Sequence, residues 1–281
     1  MEHDGASAPI SVYREFAPSD ALGEYVRALA WFGPASASIS GRPVRELYVG
    51  HETALTPSFA DAHACLLFPL GVSYAADGWH ASAAAGATLM GALSRATDPP
   101  AGARPAMIAA YLRPRGIAAL LGGPAKEITD RVIALDDVWP RIALAPERTN
   151  LQMVEAFLVR RLSAQRTPER ALRVAEVATH MGRVGGRVGV TEMAELTGLS
   201  RQHLRRLFLE YLGVSPKLYA RLARFRAGLR HLRNTDSAGG WSRLAARLGY
   251  ADQSHLIAEF REFTSFTPAQ LARGEIGRAH V

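Results

Sequence analysis

Two stretches constrain this chain more than anything else in it: "GLSRQHLRRLF" at residues 198–208 and "GYADQSHLIAEF" at residues 249–260. Each opens with a glycine after an apolar run, carries His-Leu in mid-stretch and closes on Phe, with Pro eight residues further on. His203 aligns with His255, Leu204 with Leu256, Phe208 with Phe260 and Pro216 with Pro268, always 52 positions apart. The two glycines are 51 apart, so the second turn holds one extra residue. A repeated helix-turn-helix unit accounts for the pattern.

Within one unit the roles follow from spacing. Thr191 is expected to cap a short helix with Met193, Ala194 and Leu196 inward and Glu192 and Glu195 outward. Gly198 permits the left-handed backbone that ends a helix, and Ser200 can cap the next. From there Leu204, Leu207, Phe208, Tyr211 and Leu212 recur at helical spacing. That leaves Arg201, Gln202, Arg205 and Arg206 on the outer face, near the helix start. Such a helix can enter a major groove, where Arg pairs with guanine and Gln with adenine. His203 is expected to pack or to meet backbone phosphate rather than read a base. Between the units, Leu218, Leu222, Phe225, Leu229 and Leu232 mark a long amphipathic helix. Its other faces carry Lys217, Arg221, Arg224, Arg226 and Arg230.

Charge follows the same division. Residues 1–159 hold 12 Lys/Arg against 16 Asp/Glu, residues 160–233 hold 16 against 5, and residues 234–281 hold 5 of each. A mildly acidic body joined to a strongly basic segment is the layout of a nucleic-acid binder. At 281 residues there is room for two domains. The single cysteine, Cys65, excludes an intrachain disulfide and a cysteine-built zinc site. No uninterrupted apolar stretch reaches the ~18 residues of a membrane span, and no secretory signal opens the chain, so a cytoplasmic location is expected.

Residues 12–138 read as short apolar runs broken by Gly, Pro, Ser and Asp, the text of a sheet or barrel. One helix is expected over 22–31, where Leu22, Tyr25, Val26 and Leu29 share a face, and another after "RPRGIAALLG", ending at Gly122. A helix over 150–163 leads out of this region. Helices are then expected over 168–181, 191–196, 200–212, 216–233, 241–248 and 252–263. "GRVGGRVG" (residues 182–189) has the glycines of a phosphate loop but no Gly-Lys-Ser/Thr, and reads as a hinge or loop. His51-Glu52 and His63-x-Cys65 lack further metal ligands at a usual spacing, so no catalytic residue, metal ligand or cofactor is assigned.

The text "MAELTGLSRQHLRRLFLEYLGVSPKLYARLARFRAGL" followed by "SRLAARLGYADQSHLIAEFREFTSFTPAQL" resembles the DNA-binding domain of AraC/XylS-type transcriptional regulators. The resemblance implies seven helices: a leading one, two helix-turn-helix units joined by a long helix, and a short closing helix after Pro268. It implies base reading by Gln202, Arg205 and Arg206 in the first unit and by Gln253 and Ser254 in the second. Backbone contacts would fall to Arg201, His203, Arg243, Arg247, His255 and Arg261. Relatives often carry Arg one turn into the second reading helix, where this chain has Ala258 beside Ile257. The second unit is therefore expected mainly to anchor.

More loosely, "LGEYVRALAWF", "ATLMGALS" and "AAYLRPRGIAALLGGPAKEITDRVIALDDVW" resemble the sensor-like domain that precedes this module in one subgroup. Trp31, Phe68, Trp79 and Tyr111 could line a ligand site there but fit a core better. The expected fold is an α+β two-domain chain: a β-rich N-terminal domain, then an all-α domain with two helix-turn-helix units joined by a long helix. The expected divisions are a sensor-like or regulatory domain at 1–149, a helix and linker at 150–167, and the DNA-binding domain at 168–274. Residues 275–281 look like a non-native tail. The expected partners are double-stranded promoter DNA, RNA polymerase, a small-molecule effector and a second copy of the chain. The alternative is a non-catalytic adaptor or nucleic-acid-binding protein without effector control.

Overall fold

The computed structural model describes residues 11–37, 39–49, 59–75, 78–81, 86–97, 104–139, 149–234 and 240–273. Among the described residues the N-terminal part holds eight strands: β1 (Ser11–Phe16), β2 (Val26–Pro34), β3 (Arg45–Val49), β4 (Cys65–Ala75), β5 (Gly78–Ala81), β6 (Thr88–Met90), β7 (Arg104–Leu112) and β8 (Val132–Ala134). They form one antiparallel sheet in the order β3-β1-β2-β7-β4-β6-β8, with β5 a hairpin partner of β4. Side chains alternate across it. Leu29, Trp31, Leu66, Phe68, Ile108 and Ala110 enter the main core, while Tyr13, Ala30, Cys65 and Ala109 pack on the opposite face. Trp31 and Phe68 are core residues; Trp79, by its side chain, and His51-Glu52 lie outside the described residues.

Residues 22–31, expected as a helix, are instead a turn followed by β2. Lying between β1 and β7, β2 is buried on both faces, so no polar alternation exposes its period of two. In β4, Pro69 cannot donate to the ladder and Gly71 takes φ 75°. The pairing of β4 with β7 slips between Pro69 and Ser73 at that point.

Helix α1 (Pro114–Leu121) starts on proline and stops at Gly122, whose φ of 68° needs no side chain. A 3-10 turn (Ala125–Ile128) and the short α2 (Leu135–Val138) follow. The exit helix α3 (Leu151–Ser163) is capped by the Asn150 side chain, which accepts from the Met153 N–H at 3.0 Å. Its Phe157 meets Phe68 edge-on at 6.0 Å and Trp139 at 5.9 Å, fastening α3 to the sheet.

The C-terminal part is helical: α4 (Glu169–Arg183), α5 (Val190–Thr197), α6 (Arg201–Leu212), α7 (Pro216–Asn234), α8 (Trp241–Leu248), α9 (Gln253–Thr264) and α10 (Pro268–Ala272). Gly189, not Thr191, sits at the α5 N-cap, which places Thr191 inside the helix. Leu196 does not turn inward: it is 67% exposed, while Met193 and Ala194 are buried. "GRVGGRVG" is a loop, but a wedged one. Gly185 and Gly186 take φ 63° and 66°, and a Cβ on Gly186 would overlap the Ala220 carbonyl of α7.

The two parts dock directly. The Ala60 N–H donates to the Phe263 carbonyl at 2.9 Å, and Thr129 Oγ1 donates to the Gly213 carbonyl at 2.7 Å. Helix α1 packs on α4 and α6, and one cluster of buried side chains runs through both parts. Among the described residues no helix is long and apolar enough to cross a membrane. The tail at 275–281 lies outside them.

Candidate nucleic-acid interface

The two repeated stretches fold alike. Helix α5 ends at Gly198 with φ 65°, and Ser200 caps α6 by accepting from the His203 N–H at 3.1 Å. Helix α8 ends at Gly249 with φ 79°, and Asp252 caps α9 by accepting from the His255 N–H at 2.8 Å. The extra residue of the second turn lies between glycine and cap: Leu199 alone separates them in the first, Tyr250 and Ala251 in the second.

Packing fixes which face each helix shows. In α6, Leu204, Leu207, Phe208, Tyr211 and Leu212 are buried, and Arg201, Gln202, His203, Arg205 and Arg206 are exposed. Among the described residues no carboxylate pairs with these arginines; Arg206 Nη2 lies 3.4 Å from His203 Nε2. In α9, Leu256, Phe260 and Phe263 are buried, while Ser254, His255, Ala258 and Arg261 are exposed. Gln253 is half-buried and its Oε1 accepts from Ser242 Oγ at 2.9 Å. His255 stands edge-on to Tyr250 at 5.3 Å. Arg243 and Arg247 of α8 are exposed beside this turn. The first unit thus presents an unpaired cationic face. The corresponding end of α9 carries no cation.

The arginines of α7 behave differently. Arg221 donates from Nε to Glu259 Oε2 at 2.8 Å and also pairs with Glu262. Arg224 donates to the Gly249 carbonyl at 3.0 Å, with its guanidinium 5.0 Å from the centre of the Tyr250 ring. Arg226 reaches across to the N-terminal part, pairing with Asp61 and lying 2.7 Å from His63 Nδ1. Burial pushes the Asp61 carboxyl up, but Arg226 and His63 outweigh it and hold the group well below the usual carboxylate range. Burial holds the His63 imidazole below its ordinary value, with Asp61 opposing and Arg226 reinforcing the shift. His63 Nδ1 also lies 2.7 Å from Asp61 Oδ1, so the ring sits between the carboxylate and the guanidinium. Sequence could not have joined these groups, since Asp61 and Arg226 are 165 residues apart.

Beside this contact lies a cleft of about 640 Å³, walled by Arg27, Arg113, Arg115 and Glu24 from one part and by Arg183, Arg226, Arg230 and Glu176 from the other, six guanidiniums against two carboxylates. Ala62, Leu172, Ala175 and Tyr219 supply apolar surface. Arg230 is exposed as a residue, and partial burial of its guanidinium, with Arg226 and Arg27, lowers its proton affinity. Among the described residues no group of three His, Cys, Asp or Glu side chains could hold a metal ion.

No curated protein sequence matches the chain. Solved structures similar to it include ToxT from Vibrio cholerae, at 7% identity over 94% of this chain and 98% of that one, with a TM-score of 0.42. Wild-type ToxT with a bound unsaturated fatty acid, from strain SCE256, is 10% identical over 95% of each chain, with a TM-score of 0.42. Residues 193–274 match a family model described as a helix-turn-helix domain. That span holds most of α5 and all of α6 to α10, the two capped turns included. The C-terminal part of this chain is therefore a helix-turn-helix domain of the AraC type.

Proposed function

We propose that the chain is a transcriptional regulator that binds promoter DNA sequence-selectively through two unlike helix-turn-helix units. Helix α6 reads bases with Gln202, Arg205 and Arg206, and Arg201 and His203 meet the backbone. Helix α9 contributes Gln253 and Ser254, with Arg243, Arg247, His255 and Arg261 on phosphate. The carrying observation is the contrast between the two exposed faces: three exposed arginines in the first two turns of α6, with no carboxylate partner among the described residues, and no arginine in the first two turns of α9. Base contacts specify and phosphate contacts position, so most selectivity belongs to the first unit. RNA polymerase is the expected partner at the promoter, in the cytoplasm, and self-association of the chain belongs to the same reading.

The N-terminal part is regulatory in this proposal. The arginine-walled cleft at its border with α4 and α7 supports control by a small organic anion.

The test is a duplex selected from a random pool with the full chain. Arg205→Ala and Arg206→Ala are each expected to cost about 1–3 kcal/mol of discrimination at the bases they meet. Arg243→Ala should instead weaken binding evenly across sequences and flatten its salt dependence. Unchanged selectivity in both α6 variants would overturn the placement of the reading head.

A further inference from the structure

The carboxylate of Glu259 is the anomaly of the second unit. It sits in the middle of α9, 2% exposed, among Leu256, Phe260 and Phe263. Burying a carboxylate is costly unless its oxygens are satisfied. Here they are, by two different elements. Oε2 accepts from Arg221 Nε of α7 at 2.8 Å, and Oε1 accepts from the hydroxyl of Tyr250, in the turn, at 2.8 Å. Arg221 is held in its turn, with its guanidinium 4.8 Å from the centre of the Phe263 ring and paired with Glu262. One turn along α7, Arg224 grips the Gly249 carbonyl and faces the Tyr250 ring.

A buried ion pair adds little net stability over apolar residues of the same size, but it is directional. The apolar contacts of α9 with α7, Phe225 to Phe260 at 5.0 Å and Phe225 to Phe263 at 5.3 Å, leave its rotation less defined. Rotation matters here. Each residue advances about 100° around a helix, and Gln253 and Ser254 share α9 with Glu259 about one and a half turns away. Turning Glu259 turns the reading end with it.

The same geometry ties this carboxylate to the first unit. Tyr219 and Arg221 are two positions apart on α7, so they leave it on nearly opposite sides. Tyr219 meets Phe208 of α6 edge-on at 5.8 Å, and Arg221 meets Glu259 of α9. One turn of α7 therefore spans the distance between the two reading helices.

We propose that Glu259 is a positioning residue for two-site DNA binding: clamped by Arg221 and Tyr250, it sets the rotation of α9 on α7 and so the spacing between the two sequences that one molecule accepts. The inference rests on the DNA-reading proposal and adds a length constraint to it. Its test uses the full chain and the duplex selected with the wild-type protein, intact or with one base pair inserted between the two protected segments.

Wild-type protein is expected to bind the lengthened duplex about tenfold or more weakly than the intact one, as for a lost set of base contacts. Glu259→Gln should bind the two within about threefold of each other, while its affinity for a duplex carrying only the α6 segment stays at the wild-type value. A Glu259→Gln protein with the wild-type spacing preference overturns the inference and leaves the DNA-reading proposal standing. So does a wild-type protein indifferent to the insertion. A chain that selects no sequence sinks both. Should Glu259→Gln lose its helical circular dichroism, Arg221→Met, which removes the same contact from α7, decides by the same comparison.

Discussion

Arg205 and Arg221 carry the same guanidinium on consecutive helices, yet Arg205 stands in solvent and Arg221 is spent on Glu259 and Glu262. Composition counts both toward a basic segment. Only the neighbours separate a side chain free to meet phosphate or guanine from one that braces the fold, and those neighbours lie 38 residues away for Arg221 and 165 for Arg226. His63 belongs to the second kind. Its folded-state pKa is held down by burial, so the folded protein takes up a proton on this ring less readily than the unfolded chain, which does so below about pH 6.5. Stability linked to this ring is present above that value and declines as the pH falls beneath it. Asp61, whose pKa is depressed, loses its contribution only at far lower pH, outside that window. The thermal midpoint should therefore drop from pH 7.5 to 5.5 by more in the wild-type chain than in His63→Gln. Equal drops would show that burial does not hold the proton affinity of the ring down.

Elements whose ends are set locally could be read from the sequence. Ser200, Asp252, Asn150 and Gly122 cap or stop helices at the positions their chemistry demands, because capping involves only three or four neighbouring residues. Where distant packing decides, local spacing misleads. Strand β2 looked helical because β1 and β7 bury it from both sides. Leu196 sits at a spacing that points inward, yet it faces solvent. The loop between α4 and α5 is the sharpest case: its glycines suggest freedom, whereas Gly186 is pressed against the backbone of α7. Gly186→Ala has neither the left-handed freedom nor the space, and it should destabilise the protein by about 2 kcal/mol or more in denaturant unfolding. Gly189→Ala, where a Cβ meets nothing within 4 Å and φ is −76°, should stay within about 0.5 kcal/mol of wild type.

At the scale of the whole molecule, the sheet part and the helical part share one buried cluster and polar contacts that include those of Ala60, Thr129 and Arg226. The division into a sheet part and a helical part was legible from charge and apolar spacing. The cleft was not, because its arginines come from strand, turn and three helices. Partial burial and the charges of Arg226 and Arg27 disfavour the Arg230 cation, so an anion in the cleft should relieve it. A panel of small organic carboxylates is expected to raise the unfolding temperature of the wild-type chain, and Arg230→Ala to abolish that rise without lowering the midpoint of the ligand-free protein. Equal shifts in both proteins would place any bound anion elsewhere. The contrast between the exposed ends of α6 and α9 has one more consequence. A reader made of two identical heads related by a two-fold axis sits on a palindrome either way round, but one with a strongly discriminating head and a weaker one has a front and a back. Its operators should be directional, a sharply defined box beside a permissive one, and the orientation of that pair on a promoter would decide which way the N-terminal part faces the transcription machinery.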